Sequence, residues 1–375
     1  MNIDEIVANV MEVLKKEMSD MGYVNIIVSG KTGVGKSTLI NSVFREKLAD
    51  TGVGAPVTQT IRELTKKDFP LRVYDTVGLE LGSDRQRQVA DDINNVIKNA
   101  LSSGNKDKFV HCIWYCINVN TNRFEPTEEE FIDQLAKDNE HTGVPVIIVL
   151  TIAHNKTLSQ KMKNYIDERN LNTKGTCIVL AEDYTDEDFH RDAYGGDKLI
   201  EYTLGILPES AQKAFINAQK ASLKMKKNKA QAIIAASVLT SFGVGFSPIP
   251  FSDAMLLVPT QVGMFASITA VYGISVSKST MTAIVSSLLG TTGATVVGKS
   301  IVSNLLKFIP GVGTAIGGAI SGATASALTI AIGETYIVVM EMLAKGEMSE
   351  ADLKTDKFTN LIKDIFKKKA SEAKT

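Results

Sequence analysis

The chain has 375 residues, of which 44% are hydrophobic and 22% are charged, and its formal net charge is −1. This composition is typical of a folded protein rather than a disordered one, and the length is sufficient for two domains. The near-neutral charge argues against nucleic acid as a partner. The three cysteines lie in apolar runs, so they predict buried, reduced thiols rather than a disulfide framework.

The first predicted element is an amphipathic helix within residues 1–22. Ile3, Val7 and Leu14 belong to an apolar series at helical spacing, with acidic residues and lysines between them. We expect this helix to pack on its own protein, either on the domain that follows or on the C-terminal one. A membrane-surface helix is the alternative, but the polar face is not strongly basic. No signal peptide is recognisable here, so a cytoplasmic location is expected.

A phosphate-binding loop, or P-loop, follows. Residues 24–28 form a short apolar run that predicts a buried parallel strand, residues 30–37 fit the pattern G-x-x-x-x-G-K-[ST], and residues 37–44 predict a helix. Glycines let backbone N–H groups close around phosphates, and the dipole of the helix favours the same anions. Lys36 is predicted to reach the β- and γ-phosphates, and Ser37 to ligate Mg²⁺. The predicted nucleotide-binding residues of the loop are Gly30, Lys31, Thr32, Gly33, Val34, Gly35, Lys36, Ser37 and Thr38.

Residues 52–60 contain glycine, proline and threonine and predict a flexible loop after the helix. A threonine in such a loop can give its hydroxyl to Mg²⁺ and its backbone N–H to the γ-phosphate, so that loss of the phosphate releases the loop. Thr58 is predicted to be this residue, and Thr60 is the alternative.

The strand predicted at 71–74 ends in the sequence D-x-x-G at 75–78. Downstream of a P-loop, this position predicts that Asp75 holds Mg²⁺ through water and that the N–H of Gly78 contacts the γ-phosphate. The predicted catalytic residues are Lys36 and Thr58, and the predicted metal-binding residues are Ser37, Thr58 and Asp75.

Further strands alternate with helices up to about residue 205. Apolar runs predict strands at 109–118, 144–151 and 176–181, and polar stretches predict helices at 84–101 and 127–138. This alternation predicts an α/β fold with a mainly parallel, doubly wound sheet. The acidic residues 128–130 begin the second of these helices, so we expect them to complement the helix dipole rather than bind a metal.

The composition changes in the C-terminal half, where residues 230–340 are rich in small and aliphatic residues. Uncharged runs at 254–277, 279–298 and 308–333 are each long enough to span a bilayer as a helix. A buried soluble bundle has the same sequence character and is the favoured interpretation, with membrane hairpins as the alternative. A second P-loop pattern at 293–300 lacks the strand and loop context and is interpreted as chance. The predicted domains are an N-terminal helix at 1–22, a P-loop domain at 23–205 and an all-α hydrophobic domain at 206–375.

Together these motifs resemble the translation-factor-related class of P-loop GTPases, and the loop sequence looks closest to septin, plastid-import-receptor and immunity-related GTPases. The matching pieces are Gly30–Ser37, Thr58, Asp75–Gly78, and the strand ends at Leu150-Thr151 and Leu180-Ala181. Residues 114–118, 247–253 and 307–313 are similar to bacterial GTPases fused to a helical domain of unknown function, DUF697. The resemblance implies a three-layer P-loop G domain with an all-α domain, GTP and GDP as ligands, and Mg²⁺ as cofactor.

Two positions depart from the family pattern. Leu79 stands where Ras-like GTPases carry the glutamine that orients water, which implies slow intrinsic hydrolysis or completion of the site by a second subunit or partner. Ile152 and His154 replace the lysine and aspartate that usually recognise guanine, and a neutral histidine offers one acceptor instead of a bidentate pair. The residues predicted to lie at the base are Thr151, His154 and Ala181. Alternatively, His154 and Asn155 cap the next helix.

The resemblance implies a regulatory enzyme that hydrolyses GTP to GDP and phosphate, with nucleotide-switched loops that control the helical domain. The alternatives are a membrane-associating, dynamin-like protein and a scaffold with little intrinsic hydrolysis that forms a homodimer across its nucleotide face. In the membrane interpretation, the cytoplasmic protein is peripheral at the inner membrane or inserted in it. A protein effector of the helical domain is a further expected partner.

Overall fold

The computed structural model describes residues 2–49, 54–76, 83–121, 123–243, 249–250, 258–288, 319–320 and 322–373. The chain divides into two compact units, Met21–Ser222 and a second formed by Met1–Asp20 with Leu223–Thr375. The first of these is called the sheet unit and the second the helical unit. The sequence analysis placed the domain boundary at 205/206, whereas the units meet at 222/223. Gly78, Leu79 and the second P-loop pattern at 293–300 lie outside the described residues.

The described strands occur in both units. Those predicted at 24–28 and 71–74 extend further at their C-terminal ends, and those predicted at 109–118, 144–151 and 176–181 are shorter. The described strands are β1 (Val24–Gly30), β2 (Gly54–Pro56), β3 (Ile61–Thr65), β4 (Leu71–Thr76), β5 (Cys112–Asn118), β6 (Val146–Thr151), β7 (Thr176–Ile178), β8 (Tyr184–Asp186), β9 (Phe189–Arg191), β10 (Ile249–Pro250) and β11 (Ala319–Ile320).

The described helices include those predicted at 37–44, 84–101 and 127–138, with bounds that agree within one residue. They are α1 (Ile3–Ser19), α2 (Lys36–Val43), α3 (Ser83–Ser102), α4 (Pro126–Asp138), α5 (Lys156–Asp167), α6 (Gly196–Ile206), α7 (Glu209–Ala218), α8 (Leu223–Gly243), α9 (Val258–Tyr272), α10 (Lys278–Leu288), α11 (Gly322–Ala344) and α12 (Asp356–Glu372).

Within the described residues, seven strands form one sheet in the order β2-β3-β4-β1-β5-β6-β7. Neighbours from β4 to β7 pair in parallel, whereas β3 is antiparallel to both β2 and β4. The predicted mainly parallel sheet is therefore confirmed. The antiparallel pair was not predicted, because β3 mixes apolar with charged residues and lacks the continuous apolar run of a central strand.

The side chains of β5 show how the sheet acquires a helical layer on each face. Ile113 and Tyr115 belong to a core that includes buried residues of α3, α4 and α5. Trp114 points to the opposite face, where its ring stacks on Phe44 with centroids 5.7 Å apart and its Nε1 donates to Thr203 of α6 at 3.2 Å. Phe215 of α7 packs edge-on against Phe44. The predicted three-layer arrangement is confirmed, since successive residues of a strand face opposite sides of the sheet.

Residues 217–220, here called the strap, are hydrogen-bonded to the C-terminal end of α2. The Arg45 N–H donates to the carbonyl of Ala218 at 3.0 Å, and the Lys220 N–H donates to the carbonyl of Val43 at 2.8 Å. The Arg45 guanidinium also donates to Oδ1 of Asn217 at 2.8 Å. This backbone bonding to α2 lies between the end of α7 and the start of α8, so the two helices are separate.

The helical unit has its own apolar core, to which α1, α8, α9, α10, α11 and α12 all contribute. The N-terminal helix packs on α9 and α10, which is one of the two positions that the sequence left open. One buried lysine inside this core has well-placed acceptors. Lys226 is 2% exposed, and its ammonium donates to the carbonyls of Val271 and Tyr272 at the end of α9. Cations at a helix C-terminus bind the carbonyls that lack partners within the helix.

One helix among the described residues, Ala323–Ala344, is long and apolar enough to cross a bilayer, with a mean hydropathy of 1.6 over its most apolar window. Of that window, 61% is buried inside the protein. The core helix of a soluble bundle has the same length and composition, so both interpretations of the helical unit stay open.

We predict that Gly333→Ala destabilises the helical unit because three helices meet at this glycine. A Cβ at Gly333 of α11 would lie 2.6 Å from Cγ1 of Ile234 in α8 and 3.0 Å from Sδ of Met264 in α9. Overpacking of this kind costs about 1–3 kcal/mol, and the higher helix propensity of alanine returns only about 1 kcal/mol. Gly263 of α9 is the matched control, since no described heavy atom lies within 4 Å of its Cβ position. Denaturant unfolding should show Gly263→Ala to be the more stable variant; the opposite order would contradict the packing.

Candidate functional site

The P-loop connects β1 to α2 through three glycines whose backbones lie in the region that favours glycine. Their φ angles are 142° at Gly30, 74° at Gly33 and 87° at Gly35, the last of which is the N-cap of α2. A Cβ at Gly30 would also lie 2.4 Å from the carbonyl oxygen of Cys116 in β5. The loop can therefore take this course only with glycine at these positions.

Lys36, the first residue of α2, folds back over the loop. Its ammonium donates to the carbonyls of Gly30 at 3.0 Å and Lys31 at 3.1 Å, and the residue is only 9% exposed. Burial lowers the pKa of this ammonium, while the charge of Asp75 opposes that shift. The loop thus surrounds one desolvated positive charge, which is an arrangement that attracts anions.

The side chain of Lys31 points away from Lys36 and towards α4. Its ammonium lies 3.0 Å from carboxylate oxygens of both Glu125 and Glu128. Glu128 is 2% exposed and also accepts a hydrogen bond from the Tyr115 hydroxyl at 3.2 Å. Burial lowers the pKa of Lys31, but Glu128 and Glu125 raise it by more. The acidic start of α4, interpreted from sequence as a dipole effect, therefore also anchors the P-loop.

A cleft of about 480 Å³ opens beside the P-loop. It is lined by Thr32, Gly33, Gly35, Lys36, Ser37, Thr38, Arg62, Asp75, Thr76 and Ile152. Most of the predicted P-loop residues and Asp75 therefore share one cavity. Arg62 was not predicted, because it lies in the strand that the sequence analysis missed.

Asp75 at the end of β4 supplies a buried oxygen without a partner. Among the described residues, its Oδ1 has no hydrogen bond. Burial raises the pKa of its carboxyl, and the charges of Lys36 and Arg62 act against that rise. Ser37, which is exposed, lines the same cleft. A hydroxyl and a carboxylate are oxygen ligands of the kind that Mg²⁺ prefers, so the residues present fit the predicted metal.

The structure places both switch threonines outside this lining. The Thr58 hydroxyl accepts from the backbone N–H groups of Thr60 and Ile61, each at 3.1 Å, and so closes the turn before β3. The Thr60 hydroxyl donates to Asp92 of α3 at 2.6 Å and is buried. In this structure neither hydroxyl is free to face Ser37, because each is used in a local contact.

Thr151, which was predicted to lie at the nucleotide base, contacts the P-loop in this structure. The Thr151 hydroxyl donates to the carbonyls of Val34 and Ile117, at 2.5 and 3.0 Å, and so ties the end of β6 to the P-loop. Ile152 has a φ of 54° and packs beside Gly35. Thr151 thus supports the P-loop with its side chain, and Ile152 brings an apolar side chain to the cleft.

The ring of His154 stacks on Tyr184 of β8, with centroids 4.3 Å apart and planes 12° from parallel. Asn155 caps α5, since its side chain accepts from the Leu158 N–H at 3.0 Å. Half-buried Ala181 precedes this hairpin in the chain. The sequence offered no signal for Tyr184, because strands of three residues carry no recognisable periodicity.

Two family models match the chain. Residues 25–152 match the family described as "50S ribosome-binding GTPase", and residues 210–371 match the "Domain of unknown function (DUF697)". The first match contains the P-loop, Asp75 and Thr151, and the second contains α8 to α11 and most of α12. The sequence-based assignment of a GTPase domain followed by DUF697 is confirmed.

Curated relatives and solved structures match part of the chain. Septin-9 from Mus musculus is 26% identical over an alignment of 207 residues that covers 48% of this chain and 34% of the septin. Translocase of chloroplast 108 from Physcomitrium patens is 38% identical over 84 residues, 22% of this chain and 8% of that protein. The chain thus spans about a third of the length of the septin. The crystal structure of Toc33 from Arabidopsis thaliana with Mg²⁺ and GMPPNP covers 52% of this chain and 90% of Toc33, at 18% identity and a TM-score of 0.32.

We predict that Glu128→Gln destabilises the sheet unit. The substitution preserves the shape of the side chain but removes the charge that pairs with Lys31, and hydrogen bonds to charged groups contribute about 1.5–3 kcal/mol. Because Lys31 is 22% exposed and retains Glu125, we expect a loss nearer 1 kcal/mol. Thermal and denaturant unfolding measure it. Exposed Glu130, which contacts no partner among the described residues, is the matched control, and an equal effect of Glu130→Gln would contradict the anchoring role.

Asp75→Asn should abolish the stabilisation that the ligand provides without lowering the stability of the ligand-free protein. Burial raises the pKa of the carboxyl, so its ionised form destabilises the ligand-free fold at neutral pH. We expect the variant to melt no lower than the wild type at pH 7, and the difference to vanish as the pH falls through the raised pKa and the wild-type carboxyl takes up a proton. Stabilisation by Mg²⁺ with GTP should be lost in the same thermal-shift assay. A lower melting temperature without ligand would contradict this account.

Proposed function

The chain joins a GTPase domain, matched over residues 25–152, to a DUF697 domain, matched over residues 210–371, and we propose that it binds GTP with Mg²⁺ and hydrolyses it to GDP and phosphate. The observation that carries the proposal is the cleft beside the P-loop. One buried ammonium, one exposed hydroxyl and one unpartnered carboxylate oxygen line it together, at Lys36, Ser37 and Asp75.

In the proposed complex, both the main chain and the side chains of the P-loop bind the phosphates. Backbone N–H groups from Gly33 to Thr38 surround the phosphates at the N-terminus of α2, where the helix dipole adds to their effect. Lys36 exchanges its two carbonyl acceptors for phosphate oxygens. This exchange is favourable because a desolvated ammonium bonds more strongly to an anionic oxygen than to a neutral carbonyl.

Ser37 and, through water, Asp75 would hold Mg²⁺, which supplies neutralisation of the phosphate charge. Asp75 then gains the partner that its buried oxygen lacks among the described residues. The elevated pKa of its carboxyl is consistent with a group placed for a ligand rather than for stability.

Hydrolysis is proposed to be slow in the isolated chain. Leu79 follows the D-x-x-G sequence and cannot orient water through its side chain. A second copy across the nucleotide face, or another protein, is proposed to complete the site. Thr58 remains the proposed switch residue, and its contribution requires that the turn closed by its hydroxyl opens when GTP binds.

The helical unit is proposed to change its position or its contacts when the nucleotide binds, and the strap is proposed to connect the two events. The helix that begins at Lys36 ends at Val43, and the next residues are hydrogen-bonded to residues 217–220. Only two residues then separate the strap from Leu223, the first residue of α8. A shift of α2 upon phosphate binding would therefore move the start of α8. Through this movement the nucleotide is proposed to control the assembly of the helical unit, or the contact of that unit with an effector or a membrane.

The test is calorimetry of the full chain with GTP, GDP and ATP in the presence of Mg²⁺. The wild type should bind both guanine nucleotides more tightly than ATP. Lys36→Ala should weaken binding of GTP by about 10- to 100-fold or more, since it removes a charge-assisted contact. Lys161→Ala on the exposed face of α5 is the matched loss of one positive charge and should have no effect.

Phosphate release measured on the same proteins extends the test to catalysis. Turnover by the wild type should be slow and should disappear in Lys36→Ala. Turnover that survives Lys36→Ala, or a wild type that binds no nucleotide, would overturn the proposal. Preference for ATP would overturn the guanine assignment alone.

A further inference from the structure

Arg62 lies in β3 directly opposite Asp75 of β4, since the two residues are register partners in the antiparallel pair. Its side chain lines the same cleft as Lys36 and Ser37, and its charge acts on Asp75. The cleft thus contains a second cation, which comes from a strand outside the P-loop.

Two other arginines of the sheet unit have structural contacts of a kind that Arg62 lacks among the described residues. Arg45 donates to Asn217, and Arg72 lies over the ring of Tyr23 and forms an ion pair with Glu63. Arg62 forms no hydrogen bond or ion pair with any residue that the structure describes, and it is exposed. Because Arg62 lines the cleft and its guanidinium has no partner among the residues that the structure describes, its position points to a ligand.

The backbone that carries Arg62 is held firmly. The preceding residue, Ile61, is fully buried, and its N–H donates to the Thr58 hydroxyl while its carbonyl accepts from Val57 and Thr58. Beside it, Thr60 is bonded to Asp92. A guanidinium on a rigid strand loses less conformational freedom upon binding than one on a loose loop, so this placement favours recognition of a fixed anion.

We propose that Arg62 binds the terminal phosphoryl group of the nucleotide, distinguishes a triphosphate from a diphosphate, and stabilises the charge that develops during hydrolysis. The inference rests on the proposed function and assigns a contact at that site. A planar guanidinium matches the spacing of two phosphate oxygens, which a lysine cannot do. An arginine from the same chain can supply the positive charge that other enzymes of this chemistry obtain from a partner.

The charges of the cleft agree with this role. Lys36 and Arg62 carry two positive charges, and Asp75 carries one negative charge when ionised, which leaves one positive charge for the ligand. A nucleoside triphosphate keeps a net negative charge after it binds one Mg²⁺, so both cations have an anionic partner. With GDP, Lys36 retains its phosphate and Arg62 has none.

The test compares the affinities of the full chain for GDP and for GMPPNP, a triphosphate analogue that is not hydrolysed, each with Mg²⁺. The variants are Arg62→Ala, Arg62→Lys and, as the control, Lys67→Ala. Lys67 is exposed just after β3, has no partner among the described residues, and does not line the cleft. The control therefore removes the same charge from the same region of the chain.

Arg62→Ala should weaken GMPPNP binding by about 10- to 100-fold and change GDP binding less than about threefold, because one charge-assisted contact is lost. Arg62→Lys should recover part of the difference, and Lys67→Ala should change neither affinity. Thermal unfolding without nucleotide should change little in all three, since neither Arg62 nor Lys67 has a hydrogen bond or ion pair within the described part of the chain. GTP turnover should fall with GMPPNP affinity.

Equal weakening of GDP and GMPPNP binding by Arg62→Ala, or no weakening of either, would overturn the assignment of Arg62. In both cases a wild type that binds GDP leaves the proposed function standing. A wild type that binds neither nucleotide would instead overturn the proposed function, and the inference with it.

Discussion

The site depends on a buried ammonium that has no carboxylate partner among the described residues. Lys36 is 9% exposed and donates to main-chain carbonyls of its own loop. Burying a charge is unfavourable unless an opposite charge compensates for it. Asp75, whose charge acts on Lys36, is half-buried and has a buried oxygen without a partner among the described residues. The ligand-free fold therefore keeps two poorly compensated charges at one cleft, and an anion with a divalent cation satisfies both.

The surrounding residues hold the loop in this unfavourable state. Lys31 is tied to Glu125 and Glu128 of α4, and the Thr151 hydroxyl bonds the carbonyl of Val34 from the end of β6. Gly30 passes so close to β5 that a side chain there would collide with the strand. The P-loop is thus fixed from three sides before any ligand arrives, which reduces the reorganisation that binding requires.

The central strands, the P-loop and the helix that follows it could be predicted because each has a local signal. Residues 24–28 are apolar throughout, and the glycine spacing of the loop has a direct geometric cause in the φ angles of Gly30, Gly33 and Gly35. The signature of Asp75 was equally local, and its place in the cleft with Lys36 agrees with that prediction. The alternating strand and helix pattern was sufficient for the three-layer fold.

Other parts of the site depend on contacts between distant residues. Arg62 was not predicted because β3 pairs with β4 although its sequence alternates irregularly. The anchoring role of Glu128 was not predicted because its partner, Lys31, lies 97 positions away in the sequence. The contacts by which the Thr58 hydroxyl closes a turn also depend on the fold and have no signal in the motif. The stack of His154 on Tyr184 needed a hairpin of two three-residue strands, which leaves no periodic trace in the sequence.

The strap has a mechanical consequence. Because residues 217–220 are hydrogen-bonded to the end of α2, the polypeptide leaves the sheet unit beside the helix that follows the P-loop. It does not leave directly after the last strand of the sheet. Gln219 and Ser222 then bond to each other, side chain to backbone, so little slack remains before the next helix starts. Residues inserted between the strap and α8 would lengthen this connection without removing the bonds between the strap and α2.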